Sequence, residues 1–187
     1  MEEEIQLILD DATGKMDNAV AFLEKEMDKV RAGRANPKML ETVLVDYYGS
    51  MTPLSQVANV STPDPRTIAI QPWEKQLIPV IEKAIMAANL GFNPDNNGEI
   101  VRINIPALTE ERRKELVRIV KKLAEDARIS IRNSRRDANE EFKKLKNDGL
   151  PEDMEKDATQ NMQKITDDYS AKIDALLEQK EKDILTV

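Results

Sequence analysis

Apolar side chains recur near the start of the chain at Ile5, Leu9, Ala12, Met16, Ala19, Leu23, Met27 and Val30. Steps of four and three alternate, which lays a single stripe along a helix. The spacing returns from Thr109 to about Asn147, at Leu116, Val120, Leu123, Ala127, Ile131, Ser134, Ala138, Phe142 and Leu145. Thr109 suits an N-cap, and Glu110 and Glu111 in the first turn favour the helix dipole. "NDGLPED" then punctuates the chain: Asn147, Asp148 and Gly149 end one helix and Pro151 opens the next. A third stripe follows at Met154, Ala158, Met162, Ile165, Tyr169, Ile173, Leu176 and Ile184. Three narrow stripes of similar length predict a long antiparallel three-helix bundle made from residues 1–31 and 106–187.

Between the first two helices the texture changes. Residues 32–105 hold seven of the nine prolines and four of the six glycines. The period drops to two in "TVLVDYY", "TIAIQ" and "VRINI", as strands require. "LIPVIEKAIMAANLG" predicts one short helix, with Pro79 near its first turn and Gly91 just past its end. The fold class expected is therefore α+β, a bundle with a small β/α/β domain inserted over 32–105. The chain crosses the junction twice, near residues 31–34 and 104–106. Gly33, Arg34, Ile105 and Pro106 mark these crossings and are the expected hinge.

Composition narrows the chemistry. The 187 residues include no histidine and no cysteine, which removes the commonest general base, metal ligands and nucleophile. No catalytic residue, metal or cofactor is expected. The first residues, "MEEEIQLILDDATGK", are acidic and lack the basic and apolar regions of a signal peptide. No apolar run approaches bilayer length, so no membrane association and a cytoplasmic location are expected.

The formal net charge of −7 hides a segregation. Residues 1–30 carry three basic side chains against nine acids, and residues 147–187 carry five against eleven. Residues 107–136 reverse the balance with ten against five, and four arginines fall within Arg128–Arg136. On a helical wheel with Leu116 at the origin, most of the apolar stripe lies between about −20° and about +60°. Arg135 falls at about 100° and Arg128 at about 120° on that wheel. Lys121 falls at about 140°, Lys114 and Arg132 at about 160°, and Arg118 and Arg136 at about 200°. These seven form one stripe roughly 30 Å long. Of the acids beyond the first turn, only Glu125 shares that arc.

Such a face has a plain explanation, since any bundle needs solvated surface and a basic face attracts acidic neighbours. Two features point further. Arginine dominates where lysine would solvate equally well, and its planar fork suits bidentate phosphate contact. Arg31 and Arg34 sit at the junction, where they extend the same surface. Aromatic residues do not interleave with the cations, which favours backbone contact with structured nucleic acid over stacking on single strands.

"VRAGRANP", "PLSQVANV", "PWEKQLIPVIEKAIMAANLG" and "LTEERRKELVRIVKKLAEDARISIRNSRRDAN", followed by an acidic third helix, resemble the bacterial ribosome recycling factor family in order and spacing. The most specific segments are "RNSRRDAN" and "VRAGRANP". The resemblance implies an L-shaped molecule whose bundle contacts 23S ribosomal RNA on the large ribosomal subunit after termination. It implies elongation factor G, with GTP, as the partner in splitting the ribosome for recycling. It also implies that Arg31, Arg132 and Arg135 contact RNA; Arg128 and Arg136 lie in the same motif, and Lys114 and Lys121 join them on the wheel.

Two rival functions are weighed against this one. Asp10, Asp11, Asp167 and Asp168 are carboxylates of the kind that bind hard cations, but adjacent helical residues face different ways. "VRAGRANP" lacks the lysine of a phosphate loop, so any GTP hydrolysis is expected to belong to a partner and the chain is not expected to be an enzyme. The alternative is a helical-bundle adaptor whose basic face is merely solvated. That would require surplus apolar surface, of which Ile129, opposite the core stripe, is the clearest instance. A monomer is expected.

Overall fold

The computed structural model describes residues 1–30 and 33–186. These form two compact units, one of residues 1–30 and 110–186, the other of Gly33–Thr109.

The first unit consists of three helices, α1 (Glu2–Lys29), α4 (Glu110–Asn147) and α5 (Glu152–Leu185). Their apolar stripes meet in a core that buries Leu9, Met16, Leu23 and Met27 of α1, Val120, Ile131 and Phe142 of α4, and Met162, Tyr169 and Ile173 of α5. The turn between α4 and α5 explains their antiparallel course. Gly149 takes φ +108°, the Gly149 N–H donates to the Lys146 carbonyl at 3.1 Å, and the Leu150 N–H donates to that of Leu145 at 2.9 Å. This pair of bonds closes the helix end with a left-handed residue, and Leu150 drops into the core behind it. The N-terminal turns of α1, at Leu7 and Ile8, lie beside Ser134, Ala138 and Glu141 near the end of α4. Thus α1 runs against α4 and alongside α5. No helix among the described residues is long and apolar enough to cross a membrane.

The second unit holds more strands than the three expected. β1 (Leu44–Tyr47) and β2 (Ser50–Pro53) form a hairpin whose two-residue turn, Tyr48 and Gly49, has positive φ at both positions. β3 (Ala58–Asp64), β4 (Thr67–Pro72), β5 (Pro94–Asn96) and β6 (Val101–Asn104) form an antiparallel sheet in the order β3-β4-β6-β5. A single turn of helix, α2 (Leu54–Val57), links β2 to β3, and α3 (Ile78–Ala87) covers the core between β4 and β5. Val45, Leu54, Ile68, Ile70, Ile81, Ile85, Val101 and Ile103 are fully buried there. The alternating segments became β1, β4 and β6, because alternation marks strands with one face on the core.

The second unit extends through Thr109, past the expected end at 105. Leu108 packs onto Gly33, whose φ is +73°; a Cβ there would meet Leu108 Cγ at 2.8 Å. Both connecting strands are tied to one turn of the sheet. The Ala35 N–H donates to the Pro65 carbonyl and the Ile105 N–H to the Arg66 carbonyl, each at 2.7 Å.

Candidate nucleic-acid interface

α4 carries the basic side chains, and its neighbours divide them into two groups. Arg135, Arg128 and Lys121 follow one another at intervals of seven and lean toward α5. Arg128 Nη2 meets Asp174 Oδ1 at 2.7 Å, and Lys121 Nζ meets Glu181 Oε1 at 3.8 Å. Arg135 Nη1 donates to the Gln163 amide oxygen at 2.8 Å. The second group lies further round the helix from the core stripe. Lys114, Arg118, Arg132 and Arg136 are all exposed, and among the described residues no ion pair engages Lys114, Arg118 or Arg136. Arg136 Nη2 makes one hydrogen bond, to Asn133 Oδ1 at 3.2 Å.

Glu125, the one acid within the basic arc, sits between the groups. It accepts from Arg132 at 2.8 Å and meets Arg128 at 3.5 Å. The hydrogen bond from Arg132, supported by Arg128, holds its carboxyl below the usual carboxylate range. The hydrogen bond to Asp174 raises the Arg128 guanidinium further above its ordinary value. The result is a cationic strip with an inner edge stapled to α5 and an outer edge facing solvent. Positive charge held on one side of a rigid helix suits contact with a regularly spaced row of phosphates.

Helical periodicity placed Arg128, Arg132, Arg135, Arg136, Lys114 and Lys121 off the core, and the structure sets all six on one side of α4. It also separates Lys121, Arg128 and Arg135 from the rest, a distinction the wheel of one helix does not contain. The α5 partners Gln163, Asp174 and Glu181 were missed. Their signal was present as a heptad of carboxylates, Asp167, Asp174 and Glu181, matching the heptad of cations on α4.

Arg31 lies outside the described residues. Of the expected hinge residues, Arg34 and Pro106 are exposed and Gly33 is held against Leu108. Ile105 is only 7 % exposed and belongs to the small unit's core, so it anchors a connector to the sheet. The rival sites stay apart. Asp10 accepts from Gln6 and Asp11 pairs with Lys15, both at 2.8 Å, and no cluster of three or more potential metal-binding side chains occurs among the described residues. The exposed apolar residues of the bundle are scattered: Leu7 and Phe22 stand about 22 Å apart along α1, Ile119 and Ile129 about 15 Å apart along α4.

With this geometry in place, the comparisons with known proteins decide the family. The family model described as ribosome recycling factor matches residues 23–185. The chain belongs to the ribosome recycling factor family. It is 54 % identical over 187 residues to the ribosome-recycling factor of Flavobacterium psychrophilum, covering 100 % of both chains. It is 52 % identical to that of Porphyromonas gingivalis, over 98 % of this chain and 100 % of the relative. A solution structure of a ribosome recycling factor matches with a TM-score of 0.79 at 41 % identity, covering 98 % of each chain. A second match, with a TM-score of 0.64 at 46 % identity over 97 % and 98 % of the chains, is from models of the T. thermophilus ribosome recycling factor and the E. coli elongation factor G bound to the E. coli post-termination complex. The chain is accordingly a translation factor that acts in ribosome recycling, with the family's helical bundle and small antiparallel sheet unit.

Proposed function

We propose that this protein binds the large ribosomal subunit after termination through the outer basic edge of α4 and, with elongation factor G and GTP, splits the ribosome. The observation that carries this reading is the division of α4's cations. Lys114, Arg118, Arg132 and Arg136 stand outside the staple to α5, on a face whose only acid beyond the first turn is Glu125. The phosphates of 23S ribosomal RNA are the matching surface, with Arg128 and Arg135 contributing from the inner edge and Arg31 from beyond the described residues. Membership of a family in which a relative is described, with elongation factor G, as bound to a post-termination complex supports the assignment of partners. GTP hydrolysis belongs to the elongation factor, and the protein itself works as a monomer in the cytoplasm without a cofactor. The small unit turns about the connectors at Gly33–Arg34 and from Pro106 onward, with Ile105 fixed to the sheet.

Sedimentation with isolated large subunits over a potassium chloride series tests the binding half. Light scattering of post-termination ribosomes with elongation factor G and GTP tests the splitting half. Binding should be retained at low salt and decline steeply as salt rises, because phosphate contacts release counterions. Failure to sediment with large subunits at low salt, or splitting that proceeds equally well without the protein, would overturn the proposal. The ion pairs to Asp174 and Glu181 favour a second reading, in which the basic face serves only the bundle; it predicts that any lysine removed from α4 has the same effect as an arginine.

A further inference from the structure

The seam between α4 and α5 is a ladder with one unusual rung. Arg135, Arg128 and Lys121 descend α4 at intervals of seven, and Asp167, Asp174 and Glu181 ascend α5 at the same interval. Two rungs close directly, Arg128 on Asp174 at 2.7 Å and Lys121 on Glu181 at 3.8 Å. The third does not. Arg135 Nη1 donates to Gln163 Oε1 at 2.8 Å, and Gln163 Nε2 donates to Asp167 Oδ1, also at 2.8 Å. Gln163 precedes Asp167 by one helical turn, which puts its amide between the guanidinium and the carboxylate. Arg135 Nε is buried without a hydrogen-bond partner, and among the described residues no carboxylate comes within 4.0 Å of its guanidinium nitrogens.

A neutral amide in this position does two things. Its oxygen fixes one arm of the guanidinium fork, so the side chain is oriented before any ligand arrives. Its NH2 occupies Asp167, which would otherwise pair with Arg135 and cancel its charge. Arg128, in contrast, is already compensated by two carboxylates. We infer that Gln163 is a positioning residue for Arg135, holding its guanidinium in place while insulating it from Asp167, so that its charge is left for an RNA phosphate. The inference rests on the proposed contact between α4 and ribosomal RNA.

The decisive variant exchanges the two groups. Gln163→Glu with Asp167→Asn keeps the net charge and the number of polar groups, but places the carboxylate directly on Arg135. Binding of the full-length protein to large subunits should weaken about tenfold, and the salt dependence should flatten by about one phosphate contact. The melting temperature should hold or rise, because an ion pair replaces a hydrogen bond from the guanidinium to a neutral amide. A merely structural role for Gln163 would move stability and binding together. Gln163→Leu, which breaks the relay without adding charge, should weaken binding a few-fold, and that loss should vanish in an Arg135→Ala background. If Arg135→Ala weakens binding but the exchange variant binds like the natural protein, the inference is overturned and the RNA reading stands. If Arg135→Ala itself binds normally, both the inference and Arg135's assigned contact are wrong.

Discussion

Arg128 and Arg132 lie one turn apart on α4 and carry the same formal charge, yet their surroundings predict opposite consequences of removing them. Arg132 has a 55 % exposed side chain and, among the described residues, a single carboxylate partner, Glu125 at 2.8 Å. A surface pair of this kind contributes about 0–1 kcal/mol, whereas a charge-assisted contact to phosphate contributes about 1–3 kcal/mol. Exchanging one for the other leaves about 1–2 kcal/mol, so Arg132→Ala should weaken large-subunit binding roughly 5- to 30-fold. Arg128 is 29 % exposed and held by Asp174 at 2.7 Å and Glu125 at 3.5 Å. Reaching a phosphate would require giving up both, and Arg128→Ala should therefore weaken binding no more than about fivefold. It breaks a tie between two helices, however, and should cost about 0.5–1 kcal/mol of stability, which lowers the melting temperature by a few degrees. Lys143→Ala and Lys144→Ala remove the same charge further along α4 and serve as controls. Equilibrium binding across a salt series, paired with thermal melts followed by circular dichroism, separates the two effects. Should Arg128→Ala weaken binding more than Arg132→Ala, or Lys143→Ala match Arg132→Ala, the division of α4 into inner and outer edges has no functional meaning.

Gly33→Ala should destabilise the small unit by about 1–3 kcal/mol in denaturant titrations followed by Trp73 fluorescence, since alanine is strained at φ +73° and its Cβ meets Leu108; adding Leu108→Ala should remove the steric part and leave the backbone part. The phenol of Tyr169 is pushed up to about 12 by burial and by its hydrogen bond to Asp17. Its folded value lies above the unfolded one, so the contribution is intact below pH 10 and lost as pH rises toward 12, and Tyr169→Phe should shrink the fall in stability over that window by about 1–2 kcal/mol. Replacing residues 33–109 by a short flexible loop should leave a strongly helical protein that melts cooperatively, because the three helices form a compact unit of their own.

The bundle was legible because its stripes repeat over many turns. Even so, the count slipped at three places: Val20 is buried where Ala19 was expected, Ala124 where Leu123 was, and Thr166, its hydroxyl donating to the Met162 carbonyl, where Ile165 was. A step of three or four is equally periodic, and only the neighbouring helix selects between adjacent residues. The strands β2, β3 and β5 left a weaker trace. "SMTP" and "PDN" are short and mostly polar, and β3 has one buried residue in seven, so their pairing depends on β1, β4 and β6 and not on their own alternation. The basic face was legible as a face, since a wheel needs only one helix. Which of its members are already compensated was not, because that depends on the register of α5 against α4, a relation that becomes visible only when both helices are placed.

The two 2.7 Å bonds that fasten Ala35 and Ile105 to Pro65 and Arg66 have a mechanical consequence. Both chains that leave the small unit are moored at adjacent residues, so a load on that unit is delivered through one point. Tension there is resisted by two hydrogen bonds and by the burial of Ile105, together about 3–6 kcal/mol. Leu108, packed onto Gly33, ties the two connectors to each other as well, so they leave the sheet as a pair. A pull on either connector is therefore taken up at one corner of the sheet and is not spread along its strands.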